Sequence, residues 1–334
     1  MNAPTQASSG RRGRTGDAVE QACAALGALA RRDVPLGPLT TYRVGGAAAA
    51  AVSVATLDDI ALVGAAVVAS GVSVLVVGRG SNLLVADTGF HGLAVIVVQP
   101  SPGATDQGIA LDRPAPANDG PRPVTAGAGV SLPVLARRTV AAGLTGLEWA
   151  VGVPGSVGGG VRMNAGGHGS DIASSLVSAC VADLHTGVVT QRAAATLGLR
   201  FRGSDLADHE LVWSAGFVLA SGDRARSEAE LTEIVRWRRE HQPGGQNAGS
   251  VFVNPIPGVL SAGQLIDELG LRGLRLGSAE ISPKHANFIQ ADDGGSAADV
   301  RALMAFVQER VRLERGIDLR SEIRLVGFDA AGGG

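Results

Sequence analysis

The sequence is poor in the features that several classes of function require. Its 334 residues include two cysteines, Cys23 and Cys180, far apart and with no CxxC pair. That spacing supports neither a disulfide framework nor a zinc site, so no metal is expected and a reducing, cytoplasmic setting fits. Aromatic residues make up 3%, with a single tyrosine, Tyr42, and the formal net charge is −2. So few rings and no polybasic face leave little with which to grip nucleic acid. No apolar run approaches the length of a membrane span. Arg11, Arg12 and Arg14 resemble a twin-arginine signal, but Val19 to Leu29 behind them is interrupted by Glu20 and Gln21. A flexible tail over the first dozen residues and a short amphipathic helix are expected there.

What the chain has in excess is glycine, 48 residues, roughly twice the usual share. Hydrophobic residues reach 45% and charged residues 18%, enough for ordinary cores built from Val, Leu, Ile and Ala. The length predicts two or three domains. Glycine is densest from Gly152 to Gly169, where eight glycines make helix and strand both poor readings. Glycine permits positive φ and close approach, so the stretch reads as an anion or cofactor cradle, the alternative being a tight connection between packed elements.

Ala47 to Ala55 predicts a buried strand, and Thr56 with Asp59 a capping box opening a helix that ends at Gly71. A strand over Val72 to Val77 runs into Gly78-Arg79-Gly80-Ser81-Asn82. A dinucleotide fingerprint would need a third glycine and a helix next, whereas Leu83 to Ala86 continues as strand. The glycines, Ser81 and Asn82 could still bind a pyrophosphate, or simply form a turn. Gln99 to Pro123 lacks periodicity and predicts a long loop; a strand then starts at Val124, and Ser131 caps a helix to about Ala142. Strands are expected over Ser178 to Asp183 and Val188 to Gln191.

Ser227 with Glu230 predicts a second capping box, with Leu231, Ile234 and Val235 on one face of a helix to about Glu240. A loop from Pro243 then empties into a short strand at Val251, placing Ser250 at the junction, where its hydroxyl faces a pocket or bonds its own backbone. Ser261 starts a helix that stops at Gly270, and Lys284 to Ile289 predicts a strand. The last helix runs from Ser296 to Gly316 with Val300, Leu303, Met304, Val307 and Val311 in one stripe. Ile317, Leu319, Ile323 and Leu325 then share one strand face by period two, with Glu322 on the other.

Four motifs in order, Gly78 to Val85, Gly152 to Gly159, Met163 to Gly166 and Asn247 to Phe252, resemble those of the UDP-N-acetylenolpyruvoylglucosamine reductases over roughly Leu36 to Gly327. The resemblance implies an α+β fold of the FAD-binding, vanillyl-alcohol-oxidase type. Its expected layout is a tail and short helix over 1–30, FAD-binding subdomains over 31–100 and 101–215, a C-terminal α+β substrate domain over 216–328 and a tail over 329–334. It implies an NADPH-dependent enzyme of peptidoglycan precursor synthesis with non-covalent FAD, acting on a UDP-sugar as a cytoplasmic monomer. The enolpyruvyl ether becomes a lactyl ether. By the same resemblance Ser250 delivers a proton, Arg202 opposes the enolate charge and Glu322 orients the groups or relays the proton. Tyr42, Gly78, Arg79, Gly80, Ser81, Asn82, Pro154, Gly155, Ser156, Asn164 and Gly166 match FAD contacts, and Asn254 and His285 match substrate-side positions. His285 reads equally well as a structural histidine.

Three positions depart from that pattern. Val253 stands where a lysine is usual, Arg162 where an aromatic is common, and Phe201 lacks the usual hydroxyl before the arginine. Arg162 is a candidate to replace the missing cation. With Tyr42 the only tyrosine, the subgroup that closes its substrate site with an inserted tyrosine is excluded. The rival readings are a related flavin oxidase holding its cofactor covalently through His91 or His168, and a nucleotide-sugar binding protein without turnover.

Overall fold

The computed structural model describes residues 7–98, 108–111 and 120–328. The chain divides into two compact units, one of Met1–Val34, Ala48–Gly78 and Phe90–Glu228, the other of Pro35–Ala47, Arg79–Gly89 and Ala229–Gly334. Both expected FAD subdomains thus lie in the first unit, except for two segments that leave it for the C-terminal unit. Backbone pairing explains the transfer: strand Leu83–Val85 runs parallel to Arg324–Val326, and Gly46 and Thr41 donate N–H bonds to Ala86 and Gly80.

In the first unit the helix Ala7–Leu26 occupies much of what was expected to be a tail; residues 1–6 and 329–334, where the rest of the tails was expected, lie outside the described residues. Its Val19, Ala22, Cys23 and Leu26 are buried with Ile60, Val63, Ala66 and Val67 of the helix Leu57–Ser70. That second helix has the expected capping box, Thr56 Oγ1 accepting from Asp59 N and Asp59 Oδ2 from Thr56 N, and a left-handed Gly71 at φ 65°. Both helices cover a four-stranded sheet in the order Arg31–Pro35, Ala47–Val54, Phe90–Val97, Val74–Val77. The strand Phe90–Val97 was not anticipated. It lies between two parallel neighbours and is buried from Gly92 to Ile96, so it shows an unbroken apolar run and no alternation.

The second sheet of this unit is antiparallel, in the order Val188–Ala193, Leu176–Asp183, Glu210–Ser221, Arg122–Gly127, Ile109–Leu111. Its longest strand, Glu210–Ser221, was also missed. A register shift pairs Cys180 with Ser214 but Val181 with Val212, so burial passes from Leu211 and Val212 to Ala215, Phe217 and Leu219. No single period of two runs through it. The expected loop from Gln99 to Pro123 contains the strand Ile109–Leu111; residues 99–107 and 112–119 lie outside the described residues. The helix placed after Ser227 starts earlier, as Arg224–His241, because Asp223 Oδ1 takes the Ala225 and Arg226 N–H groups. Ile234 is buried, but Val235 is exposed.

In the second unit the helix Ala297–Arg315 buries the expected stripe of Val300, Leu303, Met304, Val307 and Val311. It packs with the helix Ala262–Glu268, capped by Ser261 as expected, and a sheet of Arg275–Leu276, Ala279–Ile281 and Ile289–Ala291. Asp87 completes its N-terminus: its carboxylate accepts from Ser296 Oγ at 2.7 Å, Ala297 N at 2.9 Å and Ala298 N at 3.0 Å. Three expected strands shrink. Arg324–Val326 is all that forms after Ile317, Val251 to Val253 is irregular with one bridge between Phe252 and Ser321, and His285 sits in a turn before Ile289–Ala291.

Candidate functional site

The glycine-rich stretch contains a helix after all. Ser156, buried at φ −106°, caps Val157–Met163, with its hydroxyl 3.4 Å from Gly159 N, and Asn164 ends the helix in a left-handed conformation at φ 40°. At Gly158 and Gly166 of the stretch, and at Gly78 before it, protein neighbours leave no room for a side chain. A Cβ on Gly158 would lie 2.8 Å from Ala128 Cβ, one on Gly166 2.5 Å from Ser170 O, and one on Gly78 2.5 Å from Ser156 Oγ. At these three positions the close approach is to protein atoms, as the alternative of a tight connection between packed elements expects. Main chain still faces outward at Pro154 and Gly159, which are exposed, and Gly155 adopts φ 141°.

Asn164 Nδ2 donates to Asp171 Oδ2 at 3.0 Å and to Arg200 O at 3.2 Å, and its Oδ1 accepts from Ala173 N at 2.9 Å. It thereby anchors the turn that presents Arg202. Arg200 and Gly203 bridge through paired backbone bonds, Phe201 and Arg202 form the tip, and Arg202 takes φ 56°, a left-handed value uncommon outside glycine. Its guanidinium carbon lies 5.0 Å from the Phe201 ring centroid. Arg162 is not the spare cation the sequence suggested. It donates to Ala207 O at 2.8 Å and pairs with Asp208 at 2.5 Å, while its own carbonyl accepts from Ser204 Oγ.

The second unit holds the other candidates. Tyr42 is fully buried, and its hydroxyl has no partner among the described residues; nor has the buried Thr41 Oγ1 beside it. Burial pushes the Tyr42 phenol well above its ordinary pKa. Gly80, at φ 61°, passes so close to Leu39 O that a Cβ would lie 2.0 Å from it. Arg79 is exposed and Ser81 half-buried. Asn82 Nδ2 donates to Glu322 O at 3.0 Å, and Arg324 N donates to Asn82 O at 3.0 Å. Glu322 N donates to Val251 O at 2.8 Å, the residue after Ser250. Two sequence motifs and the isolated Glu322 are thus joined by consecutive hydrogen bonds.

Ser250 is half-buried and follows Gly249, which turns the chain at φ 80° while Asn247 Oδ1 accepts its N–H. Its hydroxyl bonds to no described residue. Asn287, which sequence reasoning missed, clamps the next residues: its backbone O accepts from Val251 N, its Oδ1 from Phe252 N, and its Nδ2 donates to Phe252 O. Only its amide between the apolar Ala286 and Phe288 hinted at a buried polar role. Val253 is buried and donates its N–H to Arg320 O. Asn254 Oδ1 accepts from Ala262 N, a helix-capping bond. Burial, then the positive Arg272, lowers the His285 pKa. The ring is neutral at neutral pH, with Nδ1 accepting from Asn287 N at 3.2 Å and the proton on Nε2.

Residues 241–326 match the family described as UDP-N-acetylenolpyruvoylglucosamine reductase, C-terminal domain, and residues 48–191 match an FAD binding domain. Among similar proteins is the UDP-N-acetylenolpyruvoylglucosamine reductase of Heliobacterium modesticaldum, 40% identical over 295 residues and covering 88% of this chain and 89% of that one. The protein of the same description from Synechococcus sp. is 39% identical over 300 residues, covering 89% and 94%. The crystal structure of the Thermus caldophilus reductase superimposes with a TM-score of 0.73 at 33% identity, covering 89% of this chain and 99% of that one.

Proposed function

The chain belongs to the UDP-N-acetylenolpyruvoylglucosamine reductase family, and from that premise we propose that Ser250, Glu322 and Arg202 carry the proton and charge chemistry of its reaction. The enzyme reduces UDP-N-acetylenolpyruvoylglucosamine in peptidoglycan precursor synthesis with FAD as cofactor. The residues present fit that cofactor: the buried Tyr42 hydroxyl and Thr41 Oγ1 each lack a protein partner among the described residues, as expected of groups whose partner is a ligand. We assign FAD contacts to Tyr42, Gly78, Arg79, Gly80, Ser81, Asn82, Pro154, Gly155, Ser156, Asn164 and Gly166, and substrate contacts to Asn254 and His285. FAD held there would supply the hydride chemistry by which the enolpyruvyl double bond is reduced at the expense of NADPH, the carbon distal to the ether oxygen taking the hydride.

This chain's own residues do the rest. Ser250 Oγ gives its proton to the adjacent carbon, where the electron pair of the former double bond collects. An alcohol is a weak acid, so the transfer needs the donor within hydrogen-bond reach and a neighbour to return the proton. Glu322 serves that neighbour role. Arg202, held at the tip of an anchored turn, opposes the negative charge of the enolate. The observation carrying this assignment is the run of bonds from Asn82 through Glu322 to Val251, beside Ser250.

We also place the protein in the cytoplasm, as a monomer without nucleic-acid partners; Cys23 and Cys180 are free thiols, and no described helix is long and apolar enough to cross a membrane. The test is NADPH oxidation by the FAD-loaded protein with and without the enolpyruvyl sugar nucleotide. Substrate-dependent oxidation is expected; its absence would leave a binding protein without turnover. Ser250→Ala should keep flavin reduction by NADPH and lose reduction of the sugar nucleotide, and full turnover in that variant removes Ser250 from its role.

A further inference from the structure

Arg202 takes its left-handed conformation, φ 56°, at the tip of a turn whose residues Arg200 and Gly203 pair through two backbone bonds. Such a backbone costs free energy in an arginine and persists only where surrounding contacts over-determine it. Contacts on both sides of the tip tie it to the helix Val157–Met163 and its cap, Asn164. Before the tip, Asn164 Nδ2 donates to Arg200 O at 3.2 Å. Behind it, Ser204 Oγ donates to Arg162 O at 2.7 Å and accepts from Leu206 N at 3.4 Å. Asp205 N donates to Leu197 O at 2.9 Å and closes the base of the loop. Arg162 O lies in the last turn of its helix, where carbonyls run out of intrahelical donors. The Ser204 hydroxyl reaches it from 42 residues along the chain. A bond that caps the helix therefore also fixes the residue two places after Arg202.

We propose that Ser204 is a positioning residue for Arg202, holding the second half of the turn to the helix so that the guanidinium stands where negative charge develops on the substrate. The inference rests on the assignment of Arg202 given above. A cation opposes an enolate charge best when it is in place before that charge forms. Displacement near 1 Å costs about a hundredfold in rate. Asn164, which holds the first half of the turn, is itself assigned to the flavin, so its removal would disturb two roles at once. Ser204 carries neither a flavin nor a substrate assignment. Alanine at 204 takes away the hydroxyl, and threonine keeps it.

Ser204→Ala and Ser204→Thr test this in the FAD-loaded enzyme, with the two half-reactions followed separately under anaerobic conditions. In both variants flavin affinity should stay within about threefold of wild type, and flavin reduction by NADPH should be unchanged. Reoxidation by the enolpyruvyl sugar nucleotide should slow about tenfold in Ser204→Ala and recover to within about threefold of wild type in Ser204→Thr. The dissociation constant of the sugar nucleotide should change less than that rate, because the charge that Arg202 opposes forms only during the reaction. Arg202→Asn supplies a background that separates positioning from general stability, since asparagine tolerates the left-handed backbone and carries no charge. In that background Ser204→Ala should slow reoxidation by less than about twofold, no guanidinium being left to place. Equal slowing in both backgrounds overturns the proposal, as does reoxidation at the wild-type rate in Ser204→Ala or a threonine variant as slow as the alanine one. Loss of flavin affinity, or reduction slowed as much as reoxidation, overturns it too, because the bond then serves the helix and its flavin contacts. If Arg202→Asn itself reoxidises at the wild-type rate, the charge-opposing assignment has failed; if Arg202→Asn is slow and Ser204→Ala is not, only the positioning role has.

Discussion

Replacing Ser227 by alanine removes one of three donors from a buried glutamate, and the consequence can be worked out from the contacts. Glu148 is only 4% exposed. Its Oε1 accepts from Ser227 Oγ at 2.6 Å and Thr145 Oγ1 at 2.7 Å, and its Oε2 from Gly146 N at 2.7 Å. Burial raises the carboxyl pKa, but the bonds from Ser227, Thr145 and Gly146 together outweigh it and hold the group below its ordinary 4.5. A hydrogen bond to a charged group contributes about 1.5–3 kcal/mol, and the alanine methyl returns none of it. At roughly 2–4 °C per kcal/mol, Ser227→Ala should melt about 3–12 °C below wild type at pH 7.5. A carboxyl whose folded pKa is depressed stabilises the fold above its unfolded pKa, and that stability is lost as pH falls through the folded value. The variant has less depression to lose, so the gap between the melting curves should narrow as pH drops below 4.5. Thermal denaturation across pH 3.5–7.5 is the assay, those limits being about one unit below and three above the ordinary carboxyl value. A gap that is absent at pH 7.5, or of constant width to the acid end, refutes the reasoning.

Gly78→Ala should cost about 1–3 kcal/mol, because its Cβ would lie 2.5 Å from Ser156 Oγ; in a Ser156→Ala background the nearest atom is Cβ at 3.6 Å, so chemical denaturation should show the double variant no less stable than Ser156→Ala alone. Tyr42→Phe should leave the flavin-free protein as stable as wild type or more so, since the hydroxyl it removes is buried without a partner, while fluorescence titration shows FAD bound about 2–10-fold more weakly. His285 has a lowered folded pKa, so it stabilises the fold above its unfolded value of 6.5 and that stability fades as pH falls below it; His285→Gln should flatten this part of the stability curve, and an unchanged slope rejects the assignment.

Helices with a local signal were readable in advance. Thr56 with Asp59, Ser261, and the stripe from Val300 to Val311 each declare themselves within one or two turns. Val157–Met163 escaped because its glycines argue against a helix, and its two determinants, the Ser156 cap and the backbone packing at Gly158, are only visible in three dimensions. The buried strand Phe90–Val97 and the bulged strand Glu210–Ser221 lack the alternation that marks a half-buried strand. For the proposed site, Ser250 lies within one of the four motifs, whereas Arg202 and Glu322 came only from the family resemblance. The Asn287 clamp and the bond from the Asn82 amide to Glu322 O were hidden, because each joins irregular segments far apart in the chain, which leave no periodic trace.

The parallel pairing of Leu83–Val85 with Arg324–Val326 also sets a timetable for the newborn chain. Asn82 and Glu322 stand 240 positions apart, and translation at about 5–20 residues per second separates them by roughly 10–50 s. Throughout that interval Leu84, Val44 and Tyr42, all interior residues of the finished C-terminal unit, must wait without their partners. The first unit can complete its hydrogen-bonded sheets once Ser221 has emerged, whereas the second closes only after Val326 has followed. Its assembly is therefore late, slow by virtue of its long-range contacts, and exposed to aggregation until that strand arrives.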